Sequence, residues 1–327
     1  MSTILLAACA AALVLAGGPR LARARWVARA PGLGLYAWQM WCAAVVTGAL
    51  LTGITATLHW DHTHDLVCRA WRVCLDALLG AHGTAAQALA VGGAGLLGVL
   101  AVRFALAGWR LARAERRQRR RLRGLLSLTG RAMPELGATV VPAAEPAAYL
   151  LPGGGVRDVV FTSAAVDHLT GEELHAVAAH ERAHATGRHY RLVRTARLLD
   201  RAFPWAPCFA TAVRQVHRLA ELRADDVAVR SNPPIVLARA LVALAEANAR
   251  HTGTRAGGPD DASALLGADG GDATERLHRL LHRPRPLPAA LTRAAAGLFT
   301  LLPLMPVAIA ALQRSPLAPL GRRRQRL

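Results

Sequence analysis

The chain contains no lysine, so all 40 of its basic residues are arginine, and they outnumber 21 acidic residues to give a formal net charge of +19. Cysteine is scarce as well: five residues spread over 327 exclude a small fold built from disulfides. Low hydrophobicity, the companion of charge in disordered chains, is missing, since 53% of residues are hydrophobic. A mean hydropathy of +0.25 beside a pI near 11.5 instead points to apolar blocks alternating with arginine blocks, as in a membrane protein. No nucleic-acid fold signature accompanies the arginines, which flank apolar runs, so a nucleic-acid partner is not expected. No basic stretch precedes the first apolar run, which argues for a short span over a secretory signal. No internal repeat is present.

A bilayer crossing needs about 20 mostly apolar residues. Four stretches qualify approximately: 3–18, 35–58, 85–109 and 294–312. Arginines in short loops mark the cytosolic side. The first loop carries Arg20, Arg23, Arg25 and Arg29 without an acid, whereas the second, Trp60–Thr84, is nearly balanced. The third opens with Arg110, Arg113, Arg116, Arg117 and Arg119–Arg121 against Glu115. This pattern places the N-terminus outside and the third loop in the cytosol. Pro303 and Pro306 interrupt the fourth stretch and leave it either crossing or bent into a re-entrant hairpin; crossing is the expectation.

The expected organisation is three spans within 1–109, a basic linker over 110–130, a folded domain over 131–290, and a fourth span with a basic tail over 291–327. Within the domain, 138–142, 147–151 and 157–163 read as short strands split by Pro and Gly. Helices are expected from a Thr170/Glu173 capping box to about Gly187, then over 190–203, 210–230, 235–250 and 275–282. The stretch 251–274, rich in Gly, Asp and Ala, reads as a loop. The fold class is therefore a mainly α, multi-span membrane protein with an α+β domain inserted between spans 3 and 4.

The chemistry concentrates in His180-Glu181-Arg182-Ala183-His184. Two imidazoles four residues apart share one helix face and can ligate one ion, while Glu181, one step round, is placed to act as general base on a water. A catalytic zinc usually takes a third protein ligand and keeps one position open. Gly187 stands where HExxHxxGxxH wants its glycine, but Tyr190 occupies the third His position and His189 is one short. The other candidate is Glu221, with Asp225 four residues on, on the same face. Asp225 would accept the free ring N–H of a ligating His and fix its tautomer. His217, one turn before Glu221, is a candidate for binding substrate or stabilising an oxyanion. His59, His62, His64, Asp61 and Asp65 form a polar loop beside Trp60. Cys68 and Cys74 diverge if helical, and Cys9 and Cys42 are packing residues within spans.

These residues resemble the four-span membrane metallopeptidases typified by the β-lactam-sensor antirepressors (BlaR/MecR type), gluzincins related to the Ste24-like membrane proteases. The resemblance rests on Ala148–Gly153, Val159–Ser163, Leu169–His184 and Glu221–Asp225. It implies one zinc ion held by His180, His184 and Glu221, Glu181 as base, and a gluzincin-like peptidase domain in the cytosol. It further implies regulatory proteolysis of a protein substrate such as a transcriptional repressor. Quality control of membrane proteins and a non-catalytic scaffold are the alternatives, and a scaffold has no need of Glu181. The penicillin-binding sensor that follows the fourth span in that group has no counterpart in the fifteen residues Gln313–Leu327, so no external sensor domain is expected.

Overall fold

The computed structural model of the chain describes residues 2–58, 85–151, 155–156, 158–253 and 270–312. The external loop with its histidines, Cys68 and Cys74, most of the 251–274 loop and the basic tail lie outside the described residues. Two compact units are present, one made of 1–20, 40–103 and 295–327, the other of 21–39 and 104–294.

The first unit holds apolar helical segments. α1 (Ser2–Ala12) passes through a π-helical turn, Leu13–Gly17, into α2 (Gly18–Arg23). The widened turn has a partner: the Leu13 carbonyl accepts from the Gly18 N–H across the turn and also from the Trp41 indole N–H at 2.9 Å. Glycine eases the approach of that ring, because a Cβ at Gly18 would lie 3.0 Å from Trp41. α3 (Arg25–Arg29) leads into α4 (Pro31–Leu58), which opens four residues earlier than the span expected at Leu35 because Pro31 is pre-set for a first helical position. The segments Leu5–Arg23 and Pro31–Ile54 are long and apolar enough to cross a membrane.

α5 (Ala85–Thr129) does not stop at Trp109 but continues through the arginine-rich stretch expected to be a linker. Arg, Gln, Leu and Ala favour helix, and no proline intervenes. The expected fourth span is two helices, α12 (Ala289–Leu301) and α13 (Leu304–Leu312), bent by 46° at Leu302-Pro303. Pro303 cannot donate a backbone bond, which accounts for the break.

The second unit contains a four-stranded sheet, β1 (Arg131–Met133), β2 (Ala138–Val141), β3 (Ala148–Leu150) and β4 (Val159–Thr162), in the order β1-β2-β4-β3. β2 and β4 are parallel, and the outer pairs are antiparallel. β4 is buried along its whole length. Central strands lose both faces to the core, which is why Val-Val-Phe-Thr lacks alternation. α6 (Ser163–His168), α7 (Gly171–Thr186), α8 (His189–Ala202), α9 (Pro207–Ala228), α10 (Pro234–Gly253) and α11 (Gly270–Leu281) follow. Val159 and Phe161 pack with Leu174 and Val177 of α7 and with Ala240 and Leu244 of α10. A second cluster joins Ala176, Ala228, Leu237 and Leu280, so α7 is fixed against α9, α10 and α11.

Candidate metal centre

α7 begins where expected. The Thr170 hydroxyl accepts from the Glu173 N–H at 3.4 Å, and the Glu173 carboxylate accepts from the Thr170 N–H at 2.9 Å. This reciprocal cap satisfies two donors that a helix start leaves unpaired. With Leu174, Val177 and Ala178 committed to the core, the rotation of α7 is set, and His180 and His184 meet Glu221 of α9.

The two Nε2 atoms lie 3.2 Å apart, and each lies 3.4 Å from a different oxygen of Glu221. Among the described residues these three form a group that could hold a metal ion, with donor atoms within 4.8 Å of one another. Three electron-pair donors this close repel unless a proton or a cation lies among them. A tetrahedral ion with bonds of about 2.0–2.1 Å has ligand atoms roughly 3.3 Å apart, a spacing these contacts approach, so two imidazoles and a carboxylate fit a zinc ion in kind and in reach. Tyr190 is not part of the group. Glu181 is half-buried beside it, and burial pushes its carboxyl up to about 7, against a lowering influence of His180.

The far nitrogens of both imidazoles have close polar neighbours. His180 Nδ1 faces Asp225 Oδ1 at 2.9 Å, as the Glu221/Asp225 spacing leads one to expect. Burial opposes charge on this ring, but Asp225 and Glu221 outweigh it and raise its pKa to about 10. Burial alone dominates at His184 and lowers it to about 3. Asp225 is also gripped by a fork from Arg276, Nε to Oδ2 and Nη2 to Oδ1, each 2.8 Å. Arg276 Nη1 reaches Glu221 Oε2 at 3.1 Å. Burial disfavours the Asp225 charge, yet this guanidinium holds the carboxyl down to about 2.

Sequence reasoning missed Arg276. It sits on α11, latched to α9 by Arg218–Glu275, Arg276–Asp225 and Arg279–Asp226 pairs. One arginine among 40 carries no local signal; only the fold brings it to Asp225.

His189 is not a member of the triad, in keeping with the sequence, but it buttresses one: its Nδ1 lies 3.1 Å from His184 Nδ1, with the residue 3% exposed. Gly187 serves it, because a Cβ there would lie 2.3 Å from His189 Nε2. His189→Ala should therefore weaken metal retention by about 10–100-fold through misorientation of His184. Competition with a fluorescent chelator measures it, and an unchanged affinity would refute the contact's role.

His217 is engaged elsewhere. Its Nε2 lies 2.9 Å from Arg197 Nη2, and burial, aided by Arg197, lowers its pKa to about 4.

A narrow cavity of about 60 Å³ adjoins Glu181 and Glu221, walled by Ala147 and Ala148 on one side and by Leu237, Leu241 and Leu244 of α10 on another. A family model described as Peptidase family M48 matches residues 112–295. Neither a curated protein nor a solved structure matches the chain.

Proposed function

The chain belongs to peptidase family M48 and is a metallopeptidase by that membership; on this premise we propose that it is an integral-membrane zinc endopeptidase. His180, His184 and Glu221 would hold the ion, and the observation carrying the reading is the convergence of their donors, with the two Nε2 atoms 3.2 Å apart, each 3.4 Å from an oxygen of Glu221, and Glu181 alongside. Zinc held there supplies Lewis-acid activation of the scissile carbonyl and of water. The chain's own residues do the rest. Glu181 takes a proton from the attacking water and returns it to the leaving amine. Asp225 holds His180 in one tautomer, and Arg276 holds Asp225.

Membrane residence is supported by Leu5–Arg23 and Pro31–Ile54, and the arginine-rich loops favour a cytosolic peptidase domain. The bilayer and a cytosolic protein substrate are the proposed partners, with regulatory cleavage of a repressor the role that the resemblance favours. The test is cleavage of an unstructured protein by the purified full chain in detergent, with metal analysis. Loss of activity on chelation, return with zinc, and one zinc per chain are expected; undiminished cleavage in excess chelator would overturn the reading.

β4 lies between β2 and β3, so it has no free edge to which a substrate strand could add. β3 is the edge strand on that side. Ala147 accepts from Thr162 N–H and Leu151 donates to Asp158, so backbone alternation turns Ala148 and Leu150 outward. The Leu150 backbone is hydrogen-bonded to Glu181, which puts this edge at the base. An extended substrate would therefore pair with β3. Ala148→Pro removes an outward N–H without touching the ladder, and should raise KM severalfold while unfolding stays cooperative. Unchanged KM would place the substrate elsewhere.

A further inference from the structure

Beside the Asp225–Arg276 pair, the second unit carries an open hollow of about 790 Å³ that both residues line. Its walls carry Arg29, Arg223, Arg230, Arg283 and Arg285, besides the paired Arg276 and Arg279. The only carboxylates lining it are Asp225 and Asp226, and both are taken by Arg276 and Arg279. Among the described residues no ion pair compensates the other five arginines. Guanidinium groups gathered about one hollow repel one another, and a fold that keeps them there gains from an anion. Their planar forks match phosphate oxygens two at a time.

We propose that this hollow is a binding site for the headgroup phosphate of an anionic phospholipid. The volume is far larger than one phosphate fills. Part of the lining is apolar, with Pro31, Leu33 and Leu287 among it, and suits a glycerol backbone and the first methylenes of acyl chains. Chain connectivity places the hollow at a membrane surface: Pro31 begins the apolar Pro31–Ile54 helix, and the Arg283–Leu287 wall runs directly into α12 of the bent apolar pair. Basic clusters at the ends of membrane helices gain roughly fivefold in anionic-lipid affinity for each arginine near the surface. Asp225 and Arg276 line the hollow, so a seated headgroup adjoins the groups that contact His180 and Glu221.

The test uses the full chain in phosphatidylcholine nanodiscs with or without phosphatidylglycerol, with retained lipid read by native mass spectrometry. Wild type should hold phosphatidylglycerol in preference to phosphatidylcholine. The exposed triple variant Arg230→Gln/Arg283→Gln/Arg285→Gln should retain it about a hundredfold less well, and the matching Arg→Lys triple should recover most of the loss. Arg285→Glu alone, at an exposed position, should weaken retention in the same direction. Inorganic phosphate should not displace the lipid. Equal retention by wild type and the Gln triple would overturn the site, and displacement by inorganic phosphate would overturn the lipid as its source.

Discussion

Glu181→Gln is expected to keep its metal and to lose about 10²–10⁴-fold or more in peptide hydrolysis. Glutamine preserves the length and shape of the side chain, and Glu181 lies outside the His180/His184/Glu221 triangle, so ligation is untouched. What disappears is the only carboxylate in the HExxH segment able to accept a proton from water. Burial, which raises its pKa to about 7, suits it to this role, because a base poised near the working pH is neither permanently ionised nor too weak. The measurement pairs turnover of a protein substrate with zinc content by elemental analysis. Wild-type turnover by the variant would remove Glu181 from the mechanism. Loss of turnover together with loss of zinc would show that the substitution had disturbed the centre itself.

Much of this centre is legible in the sequence. The Thr170/Glu173 cap, the start of α7 and the two histidines depend on spacings of three and four residues, which a helix converts directly into contacts. Glu221 and Asp225 are legible for the same reason, sharing one face of α9 at one turn's separation. The strands at 138–141, 148–150 and 159–162 are bounded by Pro and Gly, which punctuate extended chain locally. Strand order is not legible, because pairing partners are chosen by long-range contacts. β1 escapes notice because Arg-Ala-Met has an exposed, polar-leaning pattern with little β preference. Arg276 and His189 escape as contributors for a further reason. Each acts on a ligand through that ligand's far side, a relation set by helix packing and invisible in spacing.

Arg276→Leu should destabilise the second unit by about 3–5 kcal/mol. The arginine is 8% exposed and Asp225 is 2% exposed, so removing the guanidinium strands a carboxylate away from water. Glu221 loses a partner at 3.1 Å at the same time. For a folded unit of this size the cost corresponds to a fall in Tm of roughly 10 °C. A second variant separates stability from function. Asp225→Leu/Arg276→Leu removes both charges, and replacing a buried pair by apolar groups is often near neutral, so thermal stability should largely return. The centre should not recover with it. His180 Nδ1 would have no carboxylate to fix its ring, and zinc affinity should stay about 10–100-fold below wild type. Calorimetry and chelator competition on the two variants separate the two effects. If the double variant regains full metal affinity, Asp225 and Arg276 only hold α9 against α11; if stability returns and affinity does not, they are the support of the metal centre.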